Sequence, residues 1–408
     1  MGSFHPEVFM KSLSLAITSM FFIAALMSCG GGGGGTAAPA AITYTVSGAV
    51  TYEGTGLTGV AITFSGSGGT ASTNASGSYS VSGLLNGSYT ITPSLSGYAF
   101  TPASLSVTVS GADQTSQNFI ARSLLSDTGQ ASCYDSTGIA IDCAGTGQDG
   151  MYTINTPSYT DNGNNTITDN NTHLVWQKQD NGLTTAWTAA NTYCTNNTAA
   201  LPGTDWRLPT RFELMSIVDY GRSSPSIDPL FTSTATDWYW SSTIYAGDTT
   251  QAWYVHFGDG YLFYDDKALP YVYPYVRCVR GAAITGGYAD NGNGTIADSA
   301  TGLLWQKQDD GVTRTWDAAL TYCNALSIGV YTTGWRLPNI KELTSTVDDA
   351  SYDSAINAIF PNSKNKAYWS STTWTDTKSS AWELSALDGS VAPYEKTFSR
   401  EVRCVHGQ

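Results

Sequence analysis

Residues 159–187 have the sequence YTDNGNNTITDNNTHLVWQKQDNGLTTAW, and residues 288–316 have the sequence YADNGNGTIADSATGLLWQKQDDGVTRTW. The two stretches are identical at 18 of 29 positions without a gap, at a shift of 129 residues. The same shift places the WRLP block of Trp206–Pro209 on that of Trp335–Pro338. Self-similarity of this extent marks a tandem duplication, in which one structural unit is built twice.

Each copy carries the signals of an α+β unit. The DNGN segment between β-prone residues predicts a hairpin with an Asn-Gly turn. Trp187, Ala190 and Cys194 recur at helical spacing and predict a short helix with its cysteine toward the core. Thr210 and Glu213 have the pattern of a capping box, which predicts the start of a second helix. Several predicted strands follow in each copy, and the last one carries the sequence VRCV.

The cysteines predict three disulfide bridges. The chain has seven cysteines, of which Cys29 lies near the N-terminus and six lie in the body of the chain. An even number in an exported protein favours disulfides over metal sites. The duplication predicts one bridge within each copy, and the two remaining cysteines are predicted to close a local loop before the first copy. The predicted pairs are Cys194–Cys278, Cys323–Cys404 and Cys133–Cys143.

The order of the motifs DNGxGTxxDxxTGLxWQK, WRLPxxxEL, YWSST and VRCV resembles the Lcl C-terminal domain family, over about residues 125–408. The resemblance implies a C-type-lectin-like fold related to that of the sulfatase-modifying factors. It also implies surface-exposed domains with adhesive or glycan-binding roles in some members. We therefore expect a cell-surface adhesion protein that binds glycans, extracellular matrix or surface proteins. The alternative is a non-catalytic envelope protein whose tandem domains mediate protein–protein assembly.

Two departures limit what this resemblance implies. C-type lectins that hold sugar through calcium carry EPN-like and WND-like triplets, whereas Trp240 is followed here by Ser241 and Ser242. Formylglycine-generating enzymes need active-site cysteines, whereas each cysteine of the two copies has a predicted structural partner. Neither calcium-bridged sugar binding nor that enzyme activity is expected to carry over to this chain.

The N-terminal segment predicts export and lipid anchoring. Lys11 precedes an apolar run, Leu13–Met27, that is too short to span a bilayer and has the layout of a signal peptide. The run ends in Leu-Met-Ser-Cys, which resembles the lipobox of bacterial lipoproteins and makes Cys29 the predicted lipid carrier. An ordinary cleaved signal with an unrelated cysteine is the alternative. Gly30 after the cysteine favours the outer membrane, facing the cell surface or the periplasm.

Short β-prone runs separated by glycine-bearing turns predict a β-sandwich of about seven strands in the N-terminal module. Its sequence resembles carboxypeptidase-regulatory-like or transthyretin-like surface modules, which implies a stalk. The predicted fold class is thus a multidomain protein, an all-β sandwich followed by two α+β C-type-lectin-like domains. The predicted segments are a signal peptide (1–28), a glycine-rich tether (29–41), the sandwich (42–122), a leader with the local disulfide (123–158), copy 1 (159–280) and copy 2 (281–408).

Charge and histidine content argue against two classes of function. The formal net charge is −14, which opposes binding to nucleic acid because that binding needs clustered cations. The four histidines have no counterparts at the shifted positions, so the duplication supports no shared catalytic triad or zinc site. We therefore expect a protein that is not an enzyme. The histidines are His5, His173, His256 and His406.

Carboxylates in the DNGN segments are candidate calcium ligands. Their spacing resembles the start of a calcium loop, but threonine stands at the twelfth position, where an EF-hand has a bidentate glutamate. A hairpin turn is the favoured interpretation, and no cofactor is otherwise expected. The carboxylates concerned are Asp161 and Asp169 in copy 1, and Asp290 and Asp298 in copy 2.

The two copies differ most just before their last cysteine, where copy 1 is rich in tyrosine. Tyr271, Tyr273 and Tyr275 alternate at strand spacing and are predicted to share one face, as are Tyr261 and Phe263. Such a stripe could stack on sugar rings, or it could form the contact between the two copies.

Two further sets of charged residues are candidates for ligand contacts. In copy 2, Lys364 and Lys366 are the candidate contacts for an anionic ligand. Arg207 and Arg336 recur beside the WRLP tryptophan, either as ligand contacts or, more simply, as partners of the glutamate six residues later.

Overall fold

A computed structural model describes residues 41–407, apart from residues 53, 96, 181, 269, 272 and 284–286. The predicted signal peptide, Cys29 and nearly all of the glycine-rich tether lie outside the described residues. Over the described part of the chain, helices are too short or too polar to traverse a bilayer.

The N-terminal module is a β-sandwich, as predicted. Its strands β1 and β9 pair in parallel, β5 pairs with β1, and the second sheet has the order β4-β3-β6-β8. Side chains alternate between buried and exposed along β3 and β5, so one face of each sheet packs on the core. The described strands are β1 (Tyr44–Tyr52), β2 (Thr55–Gly56), β3 (Ala61–Phe64), β4 (Thr70–Ser72), β5 (Ser78–Leu84), β6 (Gly87–Ser94), β7 (Tyr98–Thr101), β8 (Leu105–Val109) and β9 (Phe119–Ser123).

The leader follows the sandwich and contains a small hairpin and one turn of 3-10 helix at Asp149–Met151. The strands of the hairpin are β10 (Cys133–Tyr134) and β11 (Ala140–Ile141). The Cys133–Cys143 disulfide closes this hairpin, with a sequence separation of 10.

Both copies contain the same order of strands and helices, except that copy 2 has one more short strand, β22, where copy 1 has an isolated β-bridge between Arg207 and Val279, and this order confirms the tandem repeat. Copy 1 consists of β12 (Tyr159–Asp161), β13 (Thr166–Asp169), β14 (Val175–Gln177), α1 (Trp187–Thr195), α2 (Arg211–Ser216), β15 (Trp238–Ile244), β16 (Gln251–His256), β17 (Leu262–Asp266) and β18 (Val279–Arg280). Copy 2 consists of β19 (Tyr288–Asp290), β20 (Thr295–Asp298), β21 (Leu304–Gln306), α3 (Trp316–Asn324), β22 (Trp335–Arg336), α4 (Ile340–Ser345), β23 (Ala367–Thr373), β24 (Ser380–Ser385), β25 (Val391–Glu395) and β26 (Val405–His406).

The predicted bridges close each copy. In copy 1, Cys194 near the end of α1 bonds to Cys278, which directly precedes β18. In copy 2, Cys323 of α3 bonds to Cys404 in the same way. All four sulfur-bearing side chains are at most 1% exposed, so each helix turns its cysteine toward the core as its spacing predicts.

The second helix of each copy begins with the predicted capping box and a buried ion pair. The Thr210 and Glu213 side chains cap α2 reciprocally, and Asn339 and Glu342 do the same for α4. The same glutamates accept two hydrogen bonds each from the WRLP arginine, at 2.6 and 2.7 Å in both copies. The arginines are therefore partners of the glutamates, which is the simpler of the two sequence-based interpretations.

One six-stranded sheet joins the two copies, with the strand order β15-β16-β17-β25-β24-β23. The order is symmetric about the middle of the sheet, where β15, β16 and β17 of copy 1 are equivalent to β23, β24 and β25 of copy 2. The central pair, β17 with β25, is antiparallel through Leu262 and Val391. The two copies are therefore related by an approximate twofold axis at the middle of the sheet.

One face of this sheet covers a core that both copies share. Tyr220 and Tyr261 of copy 1 contact Trp382 of copy 2 edge to face, at centroid distances of 5.3 and 5.2 Å. The Arg211 guanidinium lies 4.3 Å from the Trp253 ring and donates to Asp349 of copy 2 at 2.5 Å. Because aromatic area is buried from both sides, the two copies form one body and not two independent heads. Residues 43–408 as a whole form one compact unit.

The leader lies between the copies and binds both. The Gln130 amide nitrogen donates to the backbone carbonyls of Tyr220 in copy 1 and Thr373 in copy 2. Asp149, 3% exposed, accepts hydrogen bonds from Thr128 at 2.8 Å and from Thr372 of copy 2 at 2.6 Å. The sequence predicted this segment only as a prelude to copy 1.

The buried leader carboxylates make the stability of the protein dependent on pH. Burial raises the pKa of Asp127 to about 8 and the pKa of Asp149 to about 6. Because both values exceed the ordinary value of the unfolded chain, the folded state binds these protons more tightly. Their stabilising contribution is complete below about pH 4 and is lost as the pH rises through the folded values.

We therefore expect the free energy of unfolding to fall between about pH 4 and pH 8, most steeply below about pH 6, where both Asp127 and Asp149 contribute. The Asp149→Asn variant should remove on the order of 1–3 kcal/mol of that fall, because its amide oxygen can still accept from both threonine hydroxyls without a charge. Urea unfolding at several pH values measures the effect, and Asp376→Asn on the exposed surface is the control. Identical pH slopes for the wild type and Asp149→Asn would contradict the assignment.

Candidate functional site on the outer sheet face

The second face of the six-stranded sheet, which we call the outer face, is directed toward α1 and α3. Directly opposite residues of antiparallel strands share a face. Phe263 lies opposite Tyr254, and Tyr394 lies opposite Ala381. Tyr254 and Ala381 belong to the cores beneath the disulfide-bonded helices. Phe263 and Tyr394 therefore lie on the outer face, where they are 46% and 43% exposed.

Copy 2 contributes an exposed cluster of two rings around a guanidinium. The rings of Tyr394 and Phe398 have centroids 6.3 Å apart. The Arg400 guanidinium carbon lies 4.5 Å from the Tyr394 centroid and 5.7 Å from that of Phe398. Arg400 is also bonded to Glu383, so its position on these rings is held from two sides. The result is an exposed aromatic surface with polar groups at its border.

Copy 1 carries a longer loop at the corresponding place. Lys267 and Lys396 are equivalent, because their carbonyls accept from the first residue of α1 and of α3, both at 3.0 Å. Tyr275 forms an isolated β-bridge to β15, and Glu401 forms the equivalent β-bridge to β23. The three-residue difference between the copies therefore lies between these points. The longer loop of copy 1 includes Tyr271, which is 95% exposed.

This tyrosine loop differs from the predicted strand stripe, and that prediction is wrong. In the described part of residues 267–275, only Tyr275 pairs with a strand, through an isolated bridge. Tyr271 donates its amide to Asp265 at 2.7 Å and turns its ring to solvent, and Tyr273 is 45% exposed. Two prolines in the segment, which cannot donate to a sheet ladder, explain why the loop leaves the sheet despite its alternating pattern.

Tyr261 and Tyr275 have structural positions. Tyr261 does not share a face with Phe263, because it packs on Trp374 and Trp382 of copy 2 in the shared core. Tyr275 stacks on Tyr239 at a centroid distance of 5.5 Å. The tyrosines predicted as one group are thus divided: Tyr261 and Tyr275 support the fold, whereas Tyr271 and Tyr273 are available for contact.

The lysines predicted for an anionic ligand are paired with carboxylates. Lys366 lies 3.0 Å from Asp309 and 3.5 Å from Glu401, and only 19% of its side chain is exposed. Lys364 is more exposed but lies 2.5 Å from Asp353. Their positive charge is therefore largely neutralised within the protein.

The four carboxylates considered for calcium also have protein partners. Asp161 and Asp290 lie 2.5 Å from Lys178 and Lys307, in equivalent ion pairs. Asp169 and Asp298 are buried and accept hydrogen bonds from the turn that follows each hairpin. Both hairpins have the predicted antiparallel pairing. In the described part of the chain, His, Cys, Asp and Glu side chains form no group of three or more that could hold a metal.

Comparison with known families now identifies the two copies. The family described as the Lcl C-terminal domain matches residues 165–280 and again residues 294–406, together more than half of the chain. This protein belongs to the Lcl C-terminal domain family. The tandem Lcl domains are thus the two halves of the joined sheet.

The N-terminal module matches a different family from the one that its sequence suggested. The matching description is the second β-sandwich domain of a BOS complex subunit NOMO1-like protein, over residues 42–121. This match confirms the β-sandwich. It supports a NOMO1-like domain and not the predicted carboxypeptidase-regulatory-like module. No curated protein matches the chain.

Three solved structures match parts of the chain at low identity and low TM-score. A chain of a type II cohesin–X-dockerin complex from Acetivibrio cellulolyticus is 16% identical, with a TM-score of 0.17, over 20% of this chain and 58% of its own. The minor pilin GBS52 of Streptococcus agalactiae is 20% identical, with a TM-score of 0.17, over 19% and 44%. A DUF3823 family protein from Parabacteroides merdae is 17% identical, with a TM-score of 0.18, over 24% and 54%. The chain therefore spans only about half the length of these structures.

Sequence reasoning missed the copy 2 part of the outer face. It named the tyrosines of copy 1, but it did not select Tyr394, Phe398 or Arg400. The available signal was the alignment of the two variable segments, since both place aromatic residues just before the last cysteine. The sheet that brings the segments to one face could not be found by that alignment.

Proposed function

We propose that this chain is a lipid-anchored outer-membrane protein that presents its tandem Lcl domains for adhesion to glycans or extracellular matrix. The outer face is the proposed contact surface. The observation that carries this proposal is the exposure of aromatic rings there, above all Tyr271 at 95% and Tyr394 at 43%. Exposed aromatic rings that do not support the fold expose apolar area to water, and such rings are typical of binding sites.

Sugar rings are suitable partners for such a surface. Their C–H faces stack on aromatic rings, and their hydroxyls accept hydrogen bonds from groups such as the Arg400 guanidinium. The surface is an exposed sheet face bordered by a loop, which suits an extended polymer.

The rest of the chain fits presentation away from a membrane. Cys29 is the proposed lipid attachment site, the glycine run is the tether, and the sandwich is the stalk. We retain a C-type-lectin-like relationship and a non-enzymatic role as parts of the proposal. Membrane attachment through the lipid, on the outer membrane, follows from the same N-terminal signal.

A glycan array probed with the full chain, with calcium and with chelator, tests the proposal. We expect retention that does not depend on calcium. The double variant Tyr271→Ala/Tyr273→Ala should weaken it about tenfold or more, because each aromatic stacking contact contributes about 0.5–1.5 kcal/mol beyond area burial.

Tyr352→Ala is the matched control, because Tyr352 is 49% exposed and contacts Tyr245, a residue of the shared core on the opposite side of the sheet. It should retain glycans as the wild type does. Binding that the loop variant leaves unchanged would exclude the loop as the site, and the absence of any retention would favour the assembly alternative.

The alternative, a non-catalytic envelope protein that assembles with other proteins, is favoured by a second feature of the fold. A cavity of about 490 Å³ at the contact of the two copies is lined by residues of both, and its counterpart on copy 1 is occupied by the leader.

A further inference from the structure

The approximate twofold axis creates two equivalent grooves beside the shared core, and the leader fills the one on copy 1. The Tyr220 amide donates to the carbonyl of Thr128 at 2.7 Å. The Asn171 side chain donates to Ser126 at 2.9 Å. From the opposite copy, Lys341 donates to the carbonyl of Asp127 at 2.8 Å. A short peptide strand, held mainly through its backbone, thus occupies the copy 1 groove.

The equivalent groove on copy 2 is a cavity of about 490 Å³. Its floor and walls include Phe212 of copy 1 and Tyr288, Asp298, Ala300, Val347 and Asp348 of copy 2. The shift of 129 residues relates Tyr288 to Tyr159 and Val347 to Val218, so the framework of the groove is conserved between the copies. The two grooves differ in what they contain, because the leader lies in the groove of copy 1, whereas the groove of copy 2 is a cavity.

The open groove keeps the backbone donor that holds the leader in its counterpart. Asp349 is equivalent to Tyr220, whose amide binds the carbonyl of Thr128. No described residue accepts a hydrogen bond from the Asp349 amide. Ala300 replaces Asn171, so space is left where copy 1 anchors its own leader.

The open groove also lacks the cations of its counterpart. In copy 1, Asp219 is paired with Arg222 at 3.0 Å, whereas the equivalent Asp348 has Ser351 in place of the arginine. Lys341, which enters the copy 1 groove, is replaced by Phe212 at the equivalent position. Asp298 is only 3% exposed. Among the described residues that line the groove there is no lysine or arginine, and the neighbouring Arg211 is bound to Asp349.

We propose that the copy 2 groove binds an extended, basic peptide segment of a partner protein, in the manner in which the copy 1 groove binds the leader. A backbone carbonyl of that segment accepts from the Asp349 amide. Its lysine or arginine side chain lies at Asp348, and an apolar side chain packs on Phe212 and Val347. In this mode, hydrogen bonds to the peptide backbone provide affinity, and the Asp348 carboxylate selects peptides that carry a cation at the matching position. Peptide-binding domains use this combination repeatedly. The proposal does not depend on glycan binding by the outer face.

Fluorescence anisotropy with the full chain tests this proposal. The probes are two labelled peptides: residues 124–130 of this chain, LLSDTGQ, and the same peptide with Gly129→Lys, because Gly129 is the leader residue beside Asp219, the counterpart of Asp348. We expect the lysine peptide to bind at least tenfold more tightly than the parent, because the groove offers carboxylates without matching cations. In the protein, Asp348→Lys should abolish that preference, and the milder Asp348→Asn, which can keep the turn, should reduce it several-fold.

Asp376→Lys, an equal change of charge on an exposed residue outside the groove, is the control and should leave binding unchanged. Ala300→Trp should block both peptides by filling the cavity. The proposal is overturned if neither peptide binds, or if Asp348→Lys and Asp376→Lys have the same effect. Glycan retention should be unaffected by Asp348→Lys, so failure of this proposal is distinguishable from failure of the adhesive function.

Discussion

Replacing Arg336 with Gln should destabilise the protein by about 3–5 kcal/mol. The Arg336 and Glu342 side chains are each only 3% exposed and share two hydrogen bonds at 2.6 and 2.7 Å. Without the guanidinium, the Glu342 carboxylate stays buried with no opposing charge, and the desolvation of that charge is no longer offset. Guanidinium chloride unfolding of the oxidised full chain measures the loss.

The duplication supplies a matched control for this experiment. Arg207 makes the same two bonds to Glu213 in copy 1, but 28% of its side chain is exposed. Glu213 itself is only 1% exposed, but truncation of its partly exposed partner in Arg207→Gln gives water access to the carboxylate, and we expect a smaller loss of about 1–2 kcal/mol. Equal losses for the two variants would show that burial is not what decides the energetics of this motif.

Removing the Cys323–Cys404 bridge by a double change to alanine should lower the free energy of unfolding by about 4 kcal/mol. The bridge closes a loop with a sequence separation of 81 residues, so its loss frees a large number of conformations in the unfolded chain. Thermal and denaturant unfolding without reductant report the change.

The short leader bridge is the comparison for that variant. Cys133 and Cys143 are separated by 10 residues, so their replacement by alanine should have a smaller effect, about 2–3 kcal/mol. If the leader bridge proved to be the more stabilising one, its contribution would come from holding the leader between the copies and not from loop closure.

Much of the local structure could be predicted because its signals lie close together in the sequence. The Asn-Gly hairpins, the capping boxes at Thr210 and Asn339, and the arginine–glutamate pairs depend on residues within a few positions of each other. The disulfides were predictable because the duplication reduced the possible pairings to one per copy. The outer-face tyrosines were predicted only in part, since alternation suggested a strand where prolines interrupt the ladder.

The groove and the function of the leader could not be predicted from those signals. Lys341 and Asp127 are separated by 214 positions, and nothing in the local sequence of either indicates that they meet. The replacement of Lys341 by Phe212 at the equivalent position is visible in the alignment, but its meaning depends on knowing which groove each side chain enters.

The sequence by itself determined that one disulfide-closed unit is built twice behind a β-sandwich, because repeated motifs specify the same local folding in each copy. Only the tertiary structure decided that the two units share a sheet and a core, that the leader occupies one of two equivalent grooves, and that aromatic residues of both copies face solvent together. The reason is physical. The contact of β17 with β25 and the position of the leader are set by burying apolar area between distant segments, and such long-range complementarity has no signature in any single stretch of the chain.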